Sequence, residues 1–382
     1  GLDAPLDQPV EDLPVGVQQR AEILKALYRG ARILILDEPT AVLTPQEADQ
    51  LFRLLARLRE EGKTVILVTH KLREVMAVTD RVTVLRQGEV VATVPTAETS
   101  PADLAEKMVG RAVALRVDKT AAVPGTVALS VRGLEVRDRF GTVRVRAANF
   151  DVRQGEIVAI AGVAGNGQSE LLAALAGLQR PSAGRIFLGG RDVAEARPGP
   201  AGRRELGLGY VPEDRLKEGV LVRFSAQDNA ILGRHRRPEY QRGFGLLRRP
   251  AIRRACERKM ADWDVRPPDP DRRLGAFSGG NQQKLVLARE IEADPAVLLV
   301  GQPTRGVDIG AIEFIHRRLV QMRDAGKAVL VVSVELDEIM GLADRILVMT
   351  GGEIVGELQR AEATEERIGL LMAGVRDGGG RP

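Results

Sequence analysis

One stretch of this chain occurs twice, and the two occurrences lie 264 positions apart with no gap between matched positions. The matched segments are residues 13–20 with 277–284, 37–40 with 301–304, 70 with 334, 80–81 with 344–345, and 88 with 352. A register that is kept from position 13 to position 88 is very hard to obtain by chance. It predicts two copies of one domain in the same chain.

The first copy lacks a counterpart for the front half of the second. The second copy has a glycine-rich loop at residues 162–169, and its counterpart at the same offset falls before residue 1. The sequence also begins on Gly1 rather than on Met, so we expect a piece of a longer protein or a truncated gene. The expected division is residues 1–112 for the incomplete first domain, 113–127 for a linker, 128–375 for the second domain with a helical subdomain at about 213–290, and 376–382 for a disordered tail.

Composition narrows the class of protein. A chain of 382 residues is long enough for two hydrophobic cores, and its content of 44% hydrophobic but only 3% aromatic residues favours an α/β protein built from aliphatic side chains. No run approaches the ~18–20 apolar residues that a membrane-spanning helix needs. The single cysteine, Cys256, excludes an internal disulfide, and we expect it on a helix face rather than in a catalytic role.

Hydrophobic periodicity predicts alternating helices and strands in both copies. In the first copy we expect helices at 13–30, 45–61 and 71–78, buried strands at 32–36 and 64–69, and a hairpin at 81–94. In the second copy we expect strands at 127–136 and 156–161 of antiparallel or edge character, a helix at 170–177, and a helical insertion at 213–275. Alternation of this kind predicts an α/β fold with a mostly parallel sheet.

A strand, a glycine-rich loop and a helix follow one another in the second copy. Gly162 and Gly167 have the spacing of the phosphate-binding pattern G-x-x-x-x-G-K-[ST], and Gly165 adds a conformationally permissive position. Backbone N–H groups of such a loop bind phosphate, and the Ser169 hydroxyl can bind Mg²⁺. Gln168 replaces the lysine of the pattern and removes its positive charge, so we expect weak or non-productive nucleotide binding. The alternative is a tight glycine turn without a ligand.

The repeated block has a recognisable layout. In the second copy Ser278-Gly279-Gly280 opens a helix whose first turn is Asn281-Gln282-Gln283-Lys284, and an apolar strand at 297–300 leads to Pro303-Thr304-Arg305-Gly306-Val307-Asp308. This layout resembles the signature loop, Walker B strand and D-loop of an ABC ATPase. Its Asn-Gln-Gln-Lys ending is similar to the tandem ATPase subunits of sugar and nucleoside importers. The resemblance implies an α/β, ABC-type P-loop NTPase fold, with a mostly parallel sheet core, an antiparallel β subdomain and a helical subdomain, in two copies of which the first is incomplete.

The catalytic positions of the two copies differ. Asp37, Glu38 and His70 in the first copy resemble the Walker B carboxylates and the H-loop histidine. The resemblance implies that Asp37 holds Mg²⁺, that Glu38 polarises the attacking water, and that His70 contacts the γ-phosphate. Their counterparts in the second copy are Gly301, Gln302 and Val334. None of these three side chains can take over that chemistry.

The signature loops differ in the opposite sense. The second copy keeps Ser278-Gly279-Gly280 and Asp308, whereas the first has Pro14-Val15-Gly16 and Thr44 at those positions. Pro14 has no N–H, and Val15 adds a β-branched side chain. In ABC ATPases two domains meet head to tail, and each site takes its signature loop from the opposite domain. The resemblance therefore implies one competent composite site and one degenerate site.

The resemblance also implies a set of ligand-binding residues. Glu213 lies near the Q-loop position in residues 210–215, and Phe140 is the nearest candidate for an aromatic side chain that stacks on adenine. The implied contacts of ATP are Gly162, Gly165, Asn166, Gly167, Gln168, Ser169, Glu170, Glu213, Ser278, Gly279, Gly280, Gln283 and Asp308, and those of Mg²⁺ are Asp37 and Ser169.

The implied protein is an ATPase subunit at the cytoplasmic face of the cell membrane. Its helical subdomain would dock on a membrane permease, and an extracytoplasmic solute-binding protein would serve the same permease indirectly. The transported solute would be a sugar or a nucleoside-like molecule. Since the first phosphate loop falls before residue 1, we expect this chain alone to hydrolyse ATP poorly or not at all.

Two other functions fit parts of the sequence. The net charge of +4 and the arginine-rich stretch at 234–254 fit a soluble tandem ABC protein that acts on ribosomes or nucleic acid. That stretch lacks interleaved stacking aromatics, and such proteins generally keep both sites intact, so we expect no nucleic-acid partner. The other alternative is a non-hydrolytic fragment that binds nucleotide in the 162–169 loop without turnover.

Overall fold

The computed structural model describes residues 9–374 except 11–14, 29, 41–44, 87, 113–118, 164, 195–197 and 243–244. The chain divides into two compact units, residues 1–115 and 116–382. Pro14, Thr44, the first part of the expected linker and the expected tail at 376–382 lie outside the described residues, as does the side chain of Val15. Within the described part, no helix is long and apolar enough to cross a membrane.

The first unit alternates helices and strands, as periodicity predicts. Its elements are α1 (Val15–Tyr28), β1 (Ile33–Asp37), α2 (Pro45–Glu60), β2 (Thr64–Val68), α3 (Leu72–Val78), β3 (Arg81–Arg86), β4 (Glu89–Pro95) and α4 (Pro101–Val109). β1 pairs parallel with β2, and β3 pairs antiparallel with β4. The start of α4 shows why these boundaries form, because the Ser100 side chain accepts a hydrogen bond from the Asp103 N–H and Pro101 takes the first helical position.

Among the described residues, helices cover one face of the β1–β2 pair. The core of this region joins β1 to α1 and α2 through Ile23, Leu34, Leu51, Leu55 and Leu58. Successive side chains of a strand point to opposite faces, and on the other face Ile35 is 69% exposed and Val68 50% exposed. The prediction that both strands are buried is therefore wrong for that face.

The second unit contains the larger set of elements. They are β5 (Val127–Arg137), β6 (Val143–Arg153), β7 (Ile157–Ala161), α5 (Gln168–Ala176), β8 (Ala183–Leu188), β9 (Arg191–Asp192), α6 (Pro200–Glu205), β10 (Leu208–Val211), α7 (Ala226–Ala230), α8 (Arg249–Asp262), α9 (Gly279–Ile291), β11 (Val297–Gly301), α10 (Ile309–Asp324), β12 (Ala328–Ser333), α11 (Leu336–Leu342), β13 (Arg345–Thr350), β14 (Glu353–Gln359) and α12 (Glu365–Met372).

Two sheets organise this unit. A six-stranded sheet has the order β10-β11-β12-β7-β13-β14, and all its pairs are parallel except β13–β14. A four-stranded antiparallel sheet has the order β6-β5-β8-β9. A mostly parallel core with a separate antiparallel sheet agrees with the predicted fold class.

The position of β7 corrects one prediction. The strand was expected to be antiparallel or at an edge, but it runs parallel between β12 and β13, and all five of its residues are fully buried. Helices or strands cover both faces of a central parallel strand, which is why its sequence is a continuous apolar run. β6, β8 and β10 are not predicted, since β6 alternates valines with arginines and β10 has only four residues.

The helical insertion is confirmed. Between β10 and β11 the chain forms a π-helical turn (Arg215–Gly219) followed by α7, α8 and α9. Cys256 lies on the buried face of α8 with Met260, and both belong to the core that also contains Trp263. The expectation that Cys256 is a helix-face residue is confirmed.

The backbone pairing of the first unit recurs in the second at the 264-residue offset. The β1–β2 register begins at Ile33↔Thr64, and the β11–β12 register begins at the equivalent pair Val297↔Ala328. The β3–β4 hairpin has a bulge at Val84/Leu85, and the β13–β14 hairpin has one at the equivalent position, Val348/Met349. Hydrogen bonding around these strands therefore repeats even where the side chains differ.

Candidate nucleotide site

The carboxyl ends of β1 and β2 bring an acid and a histidine together. Glu38 directly follows β1, and His70 lies two residues beyond β2. Because parallel neighbours end at the same edge of a sheet, the His70 Nδ1 lies 2.7 Å from the Glu38 Oε1. The His70 side chain is 24% exposed and that of Glu38 36%, so a ligand or a water molecule can reach both.

The backbone of Glu38 is held in an uncommon conformation. Its φ is +46°, in the left-handed region, and its N–H donates to the Val68 carbonyl at 2.8 Å. Backbone strain of this kind persists where the surrounding structure enforces it, often at functional sites. Asp37, the last residue of β1, is exposed.

A second carboxyl group lies close to this pair, and the sequence analysis did not single it out. Glu74 in α3 is buried and accepts a hydrogen bond from the Thr40 hydroxyl. Burial raises its pKa, against the opposing effects of Thr69 and Lys71. One signal could have identified it, since the residue 264 positions later is also a glutamate, Glu338, although the catalytic positions around it differ.

In the second unit, the glycine-rich loop joins β7 to α5. The φ angles of Gly165 and Gly167 are +88° and +99°, in a region that residues other than glycine rarely adopt. A Cβ on Gly167 would lie 2.0 Å from the Arg144 carbonyl oxygen, whereas one on Gly165 would meet nothing within 4 Å. Gly167 is the N-cap residue of α5, and the unpaired N–H groups at such a helix end favour an anion. The side chain of Asn166 accepts a hydrogen bond from the Gly351 N–H at 3.2 Å.

Gln168 occupies the lysine position of the loop without its charge. The side chain is buried, and its Nε2 donates to the Val163 carbonyl at 3.1 Å. It packs over Gly162, where a Cβ would lie 2.2 Å from that Nε2. The loop therefore has the N–H groups of a phosphate site, but residue 168 adds no positive charge to neutralise a triphosphate.

Ser169 and Glu213 meet beside this loop. Ser169 is exposed in the first turn of α5, next to the half-buried Glu170, and its hydroxyl donates to the Glu213 carboxylate. Burial raises the pKa of Glu213, while the Ser169 hydrogen bond and the charge of Arg305 act in the opposite direction. The sequence analysis assigned Glu213 to the Q-loop but did not predict its contact with Ser169, because β10, the strand that leads to Glu213, was not predicted.

Gln302 has the same backbone conformation as Glu38 but carries an amide in place of the carboxylate. Its φ is +45°, and its N–H donates to the Val332 carbonyl at 2.7 Å. Its Oε1 accepts a hydrogen bond from the Val334 N–H at 3.3 Å. An amide is no base, and the valine at the histidine position has no polar side-chain atom.

The signature-like loop starts α9. Ser278 is its exposed N-cap residue, and the Ser278 Oγ accepts a hydrogen bond from the Asn281 Nδ2 at 2.8 Å. Gly279 permits a close approach, since a Cβ there would lie 2.4 Å from the Arg215 guanidinium. Gly280 is buried, and a Cβ there would lie 3.2 Å from the carboxylate of Asp308. Asp308 is exposed and caps α10, with its Oδ1 accepting from the Ala311 N–H at 2.9 Å.

Two further residues were expected to contact ATP, Gln283 in α9 and Phe140 as the side chain that stacks on adenine. Gln283 is only 2% exposed, because its position in α9 puts it on the same inward face as Gly280 and Leu287, so its side chain is not presented beside Ser278. Phe140 is 77% exposed in the turn between β5 and β6, with the Arg139 guanidinium 4.7 Å from its ring centre.

A bound metal would need oxygen atoms from a ligand. Among the described residues, no group of three or more His, Cys, Asp or Glu side chains is arranged to hold a metal ion. Single carboxylates and hydroxyls near a phosphate loop are nonetheless the donors that Mg²⁺ uses when phosphate oxygens and waters complete its coordination. Ser169 and Glu213 offer such donors beside the loop of the second unit, and the exposed Asp37 offers a carboxylate at the end of β1 in the first unit.

Comparison with known proteins assigns a family. The family model described as "ABC transporter" matches residues 145–305. The nucleoside import ATP-binding protein NupA of Lactococcus lactis is 45% identical over 374 residues, which cover 98% of this chain and 73% of that protein. The guanosine import ATP-binding protein NupO of Bacillus subtilis is 46% identical with the same coverage. The glucose import ATP-binding protein TsgD13 of Haloferax volcanii is 48% identical over 99% of this chain and 68% of its own length.

Solved structures share the fold. A nucleotide-free ATP-binding cassette from an ABC transporter aligns with a TM-score of 0.53 at 19% identity, over 64% of this chain and 95% of the cassette. The cbiO1 protein of Clostridium perfringens aligns with a TM-score of 0.51 at 23% identity, over 65% of this chain and all of that protein. By its identity to the three import proteins over nearly its whole length, the chain belongs to the ABC transporter ATPases, within the group of sugar and nucleoside import ATP-binding proteins.

Proposed function

We propose that this chain is part of the ATP-hydrolysing subunit that energises import of a sugar or nucleoside-like solute through a membrane permease. The observation that carries the proposal is the 2.7 Å contact between Glu38 and His70 at the ends of neighbouring parallel strands. The relatives are named as nucleoside, guanosine and glucose import proteins, which supports the substrate class. The protein works at the cytoplasmic face of the membrane, and a solute-binding protein delivers the solute to the permease from the other side.

The two units are copies of one ATPase domain, and the first unit corresponds to the C-terminal part of that domain. The recurrent strand registers and the left-handed backbone at both Glu38 and Gln302 support this relation. The complementary losses in the sequence support head-to-tail action, in which Ser278-Gly279-Gly280 completes the site that contains Glu38 and His70.

In the competent site, Glu38 and His70 act on the attacking water. Glu38 accepts a hydrogen bond from the water and takes its proton as the water oxygen attacks phosphorus, and the contact with His70 fixes the orientation of both side chains. Asp37 would supply a carboxylate to Mg²⁺, which would neutralise phosphate charge when bound. Ser278 and the N–H groups at the start of α9 bind the γ-phosphate.

In the degenerate site, nucleotide is held without turnover. The loop around Gly167 retains the N–H groups that bind phosphate, but Gln302 and Val334 replace the base and the histidine. Bound nucleotide there contributes to closing the two domains and not to hydrolysis.

The permease docks on the start of the helical subdomain. Four apolar side chains in the nine residues 216–224, shortly after Glu213, are exposed, namely Leu216, Leu221, Val222 and Phe224. Clustered exposed apolar residues mark interaction surfaces. This surface directly follows Glu213, so a change at the nucleotide site can be passed to the permease along one short segment.

The arginine-rich stretch gives little support to a nucleic-acid function. Several of its guanidinium groups already form ion pairs, including Arg234 with Glu290, Arg249 with Asp228, and Arg253 with Asp271. Charges that are neutralised within the protein add little to phosphate binding.

The proposal is tested by ATP turnover of this chain beside an N-terminally extended form that includes a first-copy phosphate loop. We expect turnover in the extended form only. Glu38→Gln should lower it by at least about 10²-fold, because general base catalysis typically contributes that much. The matched control is Glu61→Gln, an exposed glutamate of the same unit, which should leave turnover unchanged.

Either of two results contradicts the proposal. Turnover in the extended form that survives Glu38→Gln shows that another residue is the base. Robust turnover by this chain alone shows that the Glu38 site does not need the first-copy phosphate loop. The role of His70 is checked in the same assay. His70→Ala should lower turnover of the extended form, whereas the control His235→Ala should not.

A further inference from the structure

A short hairpin precedes α8 in the helical insertion. Gln241 and Leu247 form an antiparallel bridge, and the Arg242 N–H donates to the Leu246 carbonyl at 2.7 Å. The Leu246 side chain is 65% exposed, and Arg242, which faces it across the hairpin, is exposed as well. This segment, residues 240–248 except 243–244, is called the basic hairpin. It presents an apolar and a cationic side chain together at the surface.

Arginines of this hairpin and of α8 fall into two groups. Arg249 and Arg253 form ion pairs with Asp228 and Asp271. Within the described part of the chain, four other exposed guanidinium groups have neither an ion pair nor a hydrogen bond, those of Arg242, Arg248, Arg254 and Arg258. A free guanidinium can bind a phosphate through two parallel N–H donors. These four arginines and Leu246 are called the basic face.

A cavity of about 440 Å³ opens between the basic hairpin and α8, and its lining residues are Glu239, Tyr240, Ala251, Arg254, Ala255 and Arg258. Arg254 and Arg258 are one helical turn apart, so their side chains are neighbours. The Tyr240 hydroxyl has no hydrogen-bond partner among the described residues. Burial raises the pKa of Tyr240, so this hydroxyl stays protonated at neutral pH and can donate. Two guanidinium groups and one hydroxyl therefore suit a single phosphate group.

The basic face adjoins the surface on which the permease is proposed to dock. Phe224 is the last exposed apolar residue of that surface, and α7 begins two residues after it. α7 packs against α8, and Asp228 of α7 pairs with Arg249 in the first turn of α8. Because a permease is surrounded by phospholipid, this position brings the basic face close to lipid headgroups.

We propose that the basic face binds anionic phospholipid at the surface of the membrane beside the permease. The arginines bind headgroup phosphates, one of which enters the cavity, and Leu246 inserts between the headgroups. An anionic leaflet attracts clusters of basic residues, and an apolar side chain at the interface adds to the binding. The exposed leucine favours a lipid surface over a nucleic acid, whose phosphates it cannot bind. The contact takes its position from the proposed permease surface but does not depend on ATP turnover.

The test measures how the full 382-residue chain partitions onto vesicles. One set of vesicles is phosphatidylcholine mixed with phosphatidylglycerol, and the other is phosphatidylcholine alone. We expect binding to the anionic vesicles only, and added salt should weaken it. The double variant Arg254→Gln with Arg258→Gln should lower the partition coefficient by about 25-fold, since each basic residue near an anionic leaflet contributes about fivefold.

The matched control removes the same charge elsewhere in the second unit. Arg180→Gln with Arg191→Gln changes two other exposed arginines and should leave the partition coefficient nearly unchanged.

Two single variants test the other parts of the surface. Leu246→Ser should lower the partition coefficient by about tenfold, because its apolar contact with lipid is lost. Its control is Leu370→Ser, a leucine that is 49% exposed in α12 and should have little effect. Glu239→Gln should strengthen binding, because it removes a negative charge from the cavity. Thermal unfolding establishes that each variant is folded.

Four results would overturn the lipid contact. Equal binding to phosphatidylcholine alone excludes a preference for anionic lipid, and equal losses in the two double variants exclude the basic face. Displacement from the vesicles by inorganic phosphate at constant ionic strength shows a site for free phosphate instead. Displacement by polyuridylate that Leu246→Ser does not weaken shows a nucleic-acid site. None of these results involves ATP turnover, so the proposed function is tested separately.

Discussion

Two glycines of the phosphate loop show how the surroundings of a residue decide how much a substitution costs. Gly165 and Gly167 share a left-handed backbone, so both avoid a conformational cost that other residues incur. Only Gly167 lies against another segment, the carbonyl of Arg144. The same backbone angle therefore carries different constraints at the two positions.

Gly165→Ala should cost about 1–2 kcal/mol of unfolding free energy, the usual penalty of a left-handed residue. Gly167→Ala should cost more than about 3 kcal/mol, because the clash with the Arg144 carbonyl adds to that penalty. Urea unfolding followed by Trp263 fluorescence measures both values. Equal losses in the two variants would contradict the role assigned to the Arg144 contact.

Burial also decides the chemistry of the single cysteine. Burial raises the pKa of Cys256 to about 12, against the small opposing effect of Lys259. At neutral pH the thiol therefore stays protonated, and a thiol is a poor nucleophile. Cys256 packs in the core of the helical insertion and takes no part in the nucleotide site.

At the scale of elements, a buried charge cluster joins α9 to the rest of the helical insertion. Glu290 is fully buried and accepts hydrogen bonds from Arg234 at 2.9 Å and from Arg289 at 2.8 Å. Arg289 in turn donates to the carbonyl groups of Gly219 and Asn229. Since α9 starts at the signature-like loop, this cluster also holds the helix that presents Ser278.

The cluster makes stability depend on pH in a defined direction. Burial by itself would raise the pKa of Glu290, but Arg289 and Arg234 outweigh burial, and the pKa falls below its ordinary value of 4.5. The folded protein then binds fewer protons than the unfolded chain, so the stabilisation is complete above pH 4.5 and is lost as the pH falls through the lower folded value.

Glu290→Gln should therefore destabilise the second unit at pH 7 by about 3–5 kcal/mol, because it leaves buried guanidinium groups without their anion. The difference from the parent chain should shrink as the pH is lowered from 7 to 3, as followed by urea unfolding. Glu257→Gln, whose partner Arg253 is a surface residue, is the control and should change stability by less than about 0.5 kcal/mol. A loss that is the same at every pH would contradict the electrostatic explanation.

At the scale of the whole molecule, each unit has its own hydrophobic core. The three cores of the second unit contain residues between 128 and 372, and the two smaller cores of the first unit contain residues between 23 and 108. A unit of this size that buries its own core is expected to fold without help from another domain.

Residues 116–382 expressed alone should fold cooperatively. The only tryptophan of the chain, Trp263, lies in this unit and is 2% exposed, so its fluorescence reports on this core. We expect emission typical of a buried indole and a single unfolding transition for it in urea. Emission typical of an exposed indole before any urea is added would contradict this expectation.

Local sequence patterns predicted much of the fold. The alternating elements of the first unit, the helical insertion and the loop around Gly167 follow from periodicity and glycine spacing over short windows. Local patterns failed where burial depends on what covers a strand. The exposed face of β1, with Ile35, and the central position of β7 are decided by neighbours distant in sequence.

At the candidate site too, the sequence and the tertiary structure decide different features. By itself, the sequence determined where the two copies differ, because Asp37, Glu38 and His70 have Gly301, Gln302 and Val334 as their counterparts at a constant offset that needs no structure to be seen. Only the tertiary structure decided which of the side chains meet. Glu213 lies beside Gly301 and Ser169 because β10 and β11 are parallel neighbours and α5 starts at the same edge, although these segments are far apart in the chain. Pairing between distant strands is a non-local interaction, and no local window of sequence contains it.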